Sequence, residues 1–222
     1  LRCLVGSEMC IRDSHKGWLT AILSIIPFFI FVSFFQGFGV GLSNVLGKRG
    51  IIDFDFDKYL EIEDMRDFLV ADTIIQYFDL IGVLLLLWIL MRFVDKEPFI
   101  NLGFSLKGKV NDIILGMTLG LLLMAVGYTI LILLGEIKFI GFNYDLKNII
   151  LLFLLFIAVS IAEETYVRGY VLKNLLQSFN PIISLIISSA IFSLLHFFNP
   201  NVNYIALTEL FIAGILLGIS YV

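Results

Sequence analysis

Between Ile149 and Ala162 the chain carries no charge, and then Glu163, Glu164 and Arg168 arrive within six residues, in the run Ile161-Ala-Glu-Glu-Thr-Tyr-Val-Arg-Gly169. Charged side chains at membrane depth are costly, and they mark protein-lined interiors or functional sites. On a helix Glu164 and Arg168 are four apart and share a face, so they can pair. Glu163 projects about 100° away from Glu164. One carboxylate can therefore be neutralised while its neighbour stays unpaired among apolar groups, a setting that suits a general acid or base. The competing reading is a structural knot of buried ion pairs, since such networks perturb carboxylates as well.

A second group lies further on. Phe192 and His196 are four apart, with Ser188 and Ser189 a turn earlier, in an apolar stretch that ends before Asn199 and Pro200. The other histidine, His15, sits in the opening segment. A lone histidine at a helix end is often a satisfied interfacial side chain. A glutamate and a histidine on adjacent helices can also hold one water, the glutamate taking its proton and the histidine orienting it or passing the proton on.

The elements that must position these residues are membrane helices. The 222 residues are 59% hydrophobic and 15% charged, where a soluble domain would be nearer a quarter charged. The fold class is all-α, a polytopic helical bundle of about six spans. The net charge of −4 and the absence of a basic block argue against nucleic-acid binding. Both cysteines, Cys3 and Cys10, fall in residues 1–14, a stretch that fits neither a signal nor a transit peptide. It is similar to translated adapter read-through at the end of an environmental gene fragment, and is expected to be non-native.

Residues 15–94 are expected to hold two spans and an acidic loop at about 43–73. The first span runs from Trp18 to Val40, with a kink at Pro27 and an exit loosened by Gly37, Gly39 and Gly41. Asp53, Asp55 and Asp57 alternate with apolar residues but lack the glycine and closing glutamate of a calcium loop, so they read as a solvated connector. A short surface helix is expected over residues 61 to 72. Ile74 to Val94 forms the second span, where Asp79 is read as interfacial rather than as a buried partner. Asp112 to Leu134 forms the third, and its Gly116-x-x-x-Gly120 pair permits close helix packing. The fourth span begins near Asn148 and carries the charged cluster at its far end. Pro181 opens the fifth helix, from Ile182 to Phe198, and a sixth starts at Asn203 with Glu209 in its first turns. The distribution of lysine and arginine among the connectors places the amino terminus in the cytoplasm.

Glu163-Glu164-x-x-x-Arg168 followed by Phe192-x-x-x-His196 resembles the first two motifs of the CAAX protease and bacteriocin-processing (CPBP, or Abi) family of intramembrane proteases. The interval of 33 residues from Glu163 to His196 suits one helical hairpin. Arg168-Gly169-Tyr170 and Gly214-Ile-Leu-Leu-Gly218 also fit the family's surroundings, and the resemblance spans roughly residues 100 to 222, within an expected protease core at 95–222. It implies an intramembrane endopeptidase, in a bacterial cytoplasmic membrane, that acts on a membrane-associated, prenylated or leader peptide. Glu163 and His196 would activate water, while Glu164, Arg168 and Phe192 support the site. The family's third motif, a histidine followed four positions later by asparagine or aspartate, has no counterpart after His196, so the chain is expected to be truncated at its carboxy terminus.

The family is often labelled a metalloprotease, but a catalytic zinc typically takes three protein ligands. One histidine beyond the opening segment and no His-Glu-x-x-His favour hydrolysis without a metal. If zinc is present, Glu163 and His196 are its candidate ligands. Two rival readings remain: a non-enzymatic membrane scaffold or immunity protein of the same fold, and a proton-coupled transporter. Lacking the third motif, the chain as given is expected to be inactive. An assay of the purified chain for peptide cleavage that depends on Glu163 checks this, and detectable cleavage would refute it.

Overall fold

Pro27 has no N–H to donate to the carbonyl of Leu23, and its ring crowds that carbonyl. In the computed structural model the first helix accordingly divides there, into α1 (Gly17–Leu23) and α2 (Ile25–Lys48). The axis is not lost, because Ser24 N bonds Thr20 O at 3.0 Å and Phe28 N bonds Ser24 O at 3.0 Å. The structure describes residues 17–61, 68–105, 108–142, 144–197, 199 and 202–222. The opening segment 1–14 and His15 lie outside the described residues, as does most of the short helix expected after Glu61.

The remaining elements are α3 (Phe56–Glu61), α4 (Leu69–Ile89), which passes into a π-helical turn over Leu90–Asp95, a 3-10 turn (Phe99–Leu102), and α5 (Val110–Leu134). Then come α6 (Leu146–Glu164), a π-helical segment over Thr165–Leu172, α7 (Lys173–Leu176), α8 (Pro181–Leu195) and α9 (Tyr204–Ile219). No strand occurs among the described residues. The starts of α6, α8 and α9 are set by side-chain caps. Asp145 Oδ1 accepts from Lys147 N and Asn148 N, Asn180 Oδ1 from Ile183 N, and Asn203 Oδ1 from Ala206 N. Asp55 caps α3 in the same way through Asp57 N and Lys58 N, so the aspartate alternation is helix-capping chemistry in a connector.

Gly17–Lys48, Leu69–Asp95, Val110–Leu134 and Leu146–Leu176 are long and apolar enough to cross a bilayer. The chain is an integral membrane protein built as an all-α bundle. The two other expected spans, α8 and α9, are apolar helices of 15 and 16 residues. At about 1.5 Å per residue they reach roughly 22–24 Å, short of a hydrocarbon core of about 30 Å.

Helix α2 packs along α4, α4 along α6, and α8 along α9. The core forms where these meet the π segment, from Val83 and Leu87 of α4, Tyr166 and Tyr170 of the π segment, and Ile191 and Phe192 of α8. Phe28 stacks on Tyr166 with centroids 4.0 Å apart. The Ser24 hydroxyl donates to Ala21 O at 2.7 Å, so in its 3.1 Å contact with Tyr166 the tyrosine hydroxyl is the donor.

Three expectations change. The first helix runs on to Lys48 rather than ending at Val40, and its glycines are interior: a Cβ on Gly39 would stand 2.7 Å from Ile75 Cα, so that glycine sets the α2–α4 spacing. Asp79 is not turned out to the interface: its Oδ1 is enclosed within the protein. The Gly116-x-x-x-Gly120 pair packs against nothing within 4 Å, and α5 buries none of its residues. The contrast gives a test. Gly39→Leu is expected to destabilise the chain by about 1–3 kcal/mol through overpacking. Gly116→Leu is expected to be neutral or stabilising by up to about 1 kcal/mol through helix propensity. Thermal unfolding in detergent micelles measures both.

Candidate active site

Glu163 stands on the last turn of α6 and His196 caps the carboxy-terminal end of α8. The turn between the two helices folds α8 back against the π segment and brings the two side chains together, His196 Nε2 lying 3.3 Å from Glu163 Oε1. The other ring nitrogen, Nδ1, is 2.9 Å from the carbonyl of Phe192. A carbonyl oxygen only accepts, so Nδ1 carries a proton and donates it there. Nε2 is then a bare lone pair in the neutral ring or an N–H in the imidazolium. A 3.3 Å contact between that nitrogen and a carboxylate oxygen is favourable when one proton lies on either partner. The pair is thus arranged to hold one exchangeable proton between two groups that act as acid and base. Both side chains remain reachable, at 18% exposure for His196 and 36% for Glu163.

Glu164 points elsewhere, as the helical spacing predicts. Its Oε1 is 3.0 Å from Arg168 Nη1, in an ion pair whose alignment falls short of a hydrogen bond. Arg168 is 4% exposed, and its guanidinium does three things. It faces Glu164, donates from Nη2 to the carbonyl of Gly214 on α9 at 3.4 Å, and sits over the Phe192 ring with Cζ 4.4 Å from the centroid. Phe192 in turn meets His196 edge to face, at 4.8 Å and 65°. A continuous chain of contacts therefore runs from Glu164 through Arg168 and Phe192 to His196. All five residues singled out in the sequence, Glu163, Glu164, Arg168, Phe192 and His196, fall in one site.

The backbone between the two halves of the site is not the expected α-helix. From Thr165 to Leu172 it is π-helical, a form often found at functional sites. Gly169 lies in this segment, and a Cβ there would come within 2.6 Å of the Leu102 carbonyl, so the glycine admits the 3-10 turn that follows α4. Beside it a cleft of about 410 Å³ opens between Leu102 and Phe104 on one side and Ser160, Glu164 and Arg168 on the other. Neither Glu163 nor His196 lines it.

Sequence reasoning missed the Gly214 carbonyl as an acceptor for Arg168, and it assigned Asp79 to the wrong environment. Gly214 itself gave a signal: with no side chain it lets α9 approach Ser189 of α8, where a Cβ would stand 2.9 Å from the serine Cβ. For Asp79 the signal was an acid within an apolar span.

Among the described residues the site offers fewer donors than a catalytic zinc typically takes. No group of three or more His, Cys, Asp or Glu side chains among them is placed to hold a metal, and such a zinc typically takes three protein ligands. Glu163 and His196 supply two.

Compared with known proteins, residues 145–222 match the family model described as type II CAAX prenyl endopeptidase Rce1-like. No curated protein and no solved structure matches the chain. The matched segment holds α6, the π segment, α8 and α9, and with them all five residues of the site.

Breaking the Arg168 node tests its structural role. Arg168→Ala is expected to destabilise the chain by about 1–3 kcal/mol, below the roughly 3–5 kcal/mol of a fully buried pair because the Glu164 side chain is 42% exposed. Arg168→Lys should recover less than half of that loss, since an ammonium lacks the planar fork that reaches Glu164 and Gly214 together. Thermal unfolding of both variants reads the difference.

Proposed function

We propose, from the premise that residues 145–222 belong to the Rce1-like family of type II CAAX prenyl endopeptidases, that this protease uses Glu163 as general base and His196 as its proton partner. The observation that carries this reading is the 3.3 Å contact between Glu163 Oε1 and His196 Nε2, with Nδ1 fixed by the Phe192 carbonyl. A fixed Nδ1–H leaves Nε2 as the one ring nitrogen that exchanges a proton.

The step is a hydrolysis. A water beside the pair gives one proton to the Glu163 carboxylate while its oxygen attacks the carbonyl carbon of the scissile peptide bond. The tetrahedral adduct collapses, the C–N bond breaks, and the proton passes to the leaving amine directly or through His196 Nε2. The products are a carboxylic acid and an amine, the acid then giving its remaining proton to the amine or to solvent, with no redox change. Arg168 and Glu164 touch no reacting atom in this scheme. They hold Phe192, and through it His196, in register with Glu163.

The substrate is a peptide at the bilayer: a prenylated carboxy-terminal peptide, in keeping with the family description, or a leader peptide that reaches the same depth. In this reading the hydrolysis runs without a metal, which is supported by the two donors, Glu163 and His196, that the described residues offer.

The test is a set of substitutions assayed in the full-length protein, on a prenylated peptide in detergent or vesicles. Glu163→Ala and His196→Ala are each expected to lower kcat by about 10²–10⁴-fold while thermal unfolding stays near wild type. Activity is expected to survive a chelator such as EDTA. Full turnover by Glu163→Ala would refute the assignment and favour a scaffold that tolerates its loss. Turnover abolished by chelation and restored by zinc would refute the metal-free step.

A further inference from the structure

We propose, resting on the assignment of His196 as the proton partner of Glu163, that Gly214 of α9 is a positioning residue of this site. Its missing side chain lets α9 lie against Ser189 of α8, and its carbonyl holds Arg168, the cation that sits over the Phe192 ring beside His196. The alignment of Glu163 and His196 thereby depends on α9, a helix that carries neither of them.

Gly214 and Gly218 are four apart, so they share a face of α9, and both are buried. A Cβ on Gly214 would stand 2.9 Å from Ser189 Cβ and 3.0 Å from Ser189 Cα, and one on Gly218 would collide with Leu185 Cδ1. Leu185 and Ser189 are four apart in the opposite order, so the two helices run antiparallel with the glycines in the seam. Further along it, the Ser193 hydroxyl donates to the carbonyl of Leu207 at 2.7 Å. The backbones are thus drawn close on the stretch of α8 that leads to His196. Ser189, Phe192 and His196 follow at i, i+3 and i+7, on one side of that helix.

The carbonyl completes the link. A carbonyl oxygen within a helix keeps a second lone pair beyond the helical ladder, and that of Gly214 accepts from Arg168 Nη2 at 3.4 Å. The bond is long for its kind and has little slack. The same guanidinium has its Cζ 4.4 Å from the Phe192 centroid. Phe192 meets the His196 ring at 4.8 Å and accepts the Nδ1 proton on its own carbonyl at 2.9 Å. Non-bonded carbons settle about 3.5–4.0 Å apart, so a methyl on Gly214 must open the seam by roughly half an ångström. Arg168 is held to α8 by the Phe192 ring, so the retreat of α9 costs it the carbonyl and loosens the cation over that ring. A side chain at position 214 therefore disturbs His196, which it does not touch.

A spectroscopic readout tests this without relying on catalysis. Histidine is labelled with carbon-13 in the purified chain in detergent micelles, and the ring signals of His196 are identified by their loss in His196→Gln. Gly214→Ala is expected to shift or broaden those signals at unchanged helix content. Adding Ser189→Gly is expected to return them toward wild type, since it makes room in the seam and removes a hydroxyl that has no hydrogen-bond partner among the described residues. Ring signals that Gly214→Ala leaves unmoved, or that stay displaced in the double variant, overturn the proposal. If Gly214→Ala does not fold, Ser189→Thr opens the same seam from α8 and takes its place, with the same shift expected and an unmoved ring again overturning it.

The activity arm uses the full-length protein on a prenylated peptide. Gly214→Ala is expected to lower kcat about tenfold, as a small misplacement of a reacting group does, with KM unchanged within about twofold. In an Arg168→Ala background the same substitution is expected to lower kcat by less than about twofold, because the route is already broken. A merely structural residue would lower the folded fraction and leave kcat per folded molecule intact, and that result overturns the positioning role. An undiminished loss in the Arg168→Ala background overturns the route through Arg168. Full proteolysis by Glu163→Ala overturns the assignment beneath the proposal, and the ring signals still report separately whether Gly214 holds His196.

Discussion

A guanidinium shut away from solvent must have its charge met by whatever the protein supplies, and Arg168 has one contact from each of three places. The Glu164 carboxylate comes from the end of α6, the Phe192 ring from α8, and the Gly214 carbonyl from α9. No two of these elements can shift relative to each other without stripping the cation of a partner in a medium where water does not replace it. The helices that carry Glu163 and His196 are thereby fixed to one another through Arg168. The adjacency of Glu163 and Glu164 follows from the same constraint. One carboxylate neutralises the cation, and the other, turned by the helix, is left to meet the histidine.

The backbone is adjusted to serve this node. A π-helical segment occupies Thr165–Leu172, where its i→i+5 pattern turns side chains through a smaller angle per residue than an α-helix does. Tyr166 and Tyr170 fill the core from this segment, and Gly169 receives the turn after α4 with backbone against backbone. Tyr166 also reaches Ser24 at the break that Pro27 makes in the first helix. A defect in one helix is thus matched to a defect in another. The two meet through the Ser24 and Tyr166 hydroxyls, 3.1 Å apart.

Much of the site was legible because its signals were charges in places where charge is costly. Glu163, Glu164, Arg168 and His196 stand out against apolar runs, and the 3.6-residue period alone separates the paired carboxylate from the unpaired one. The spans were legible from length and apolarity. What escaped was whatever depends on a neighbouring helix. Asp79 near the start of a span looks the same in sequence whether it faces headgroups or the protein interior, and the close approach of α2 and α4, where Gly39 meets Ile75 and Gly82 meets Phe35, decides between them. The reverse error arose at Gly116 and Gly120, where spacing suited to packing sits on a helix that buries nothing. A π segment has no composition of its own, so eight residues of it could not be read in advance.

The brevity of α8 and α9 has a consequence for water. A helix of 15 or 16 residues does not match the thickness of a hydrocarbon layer. The lipid around such a pair thins, or the pair leaves part of the layer's depth to headgroups and solvent. The end of α8 where His196 sits is then nearer to water than a helix spanning the whole layer would bring it. Under the proposed function hydrolysis needs a reactant that the bilayer excludes, and a helix too short for the layer shortens the path of that reactant to Glu163 and His196.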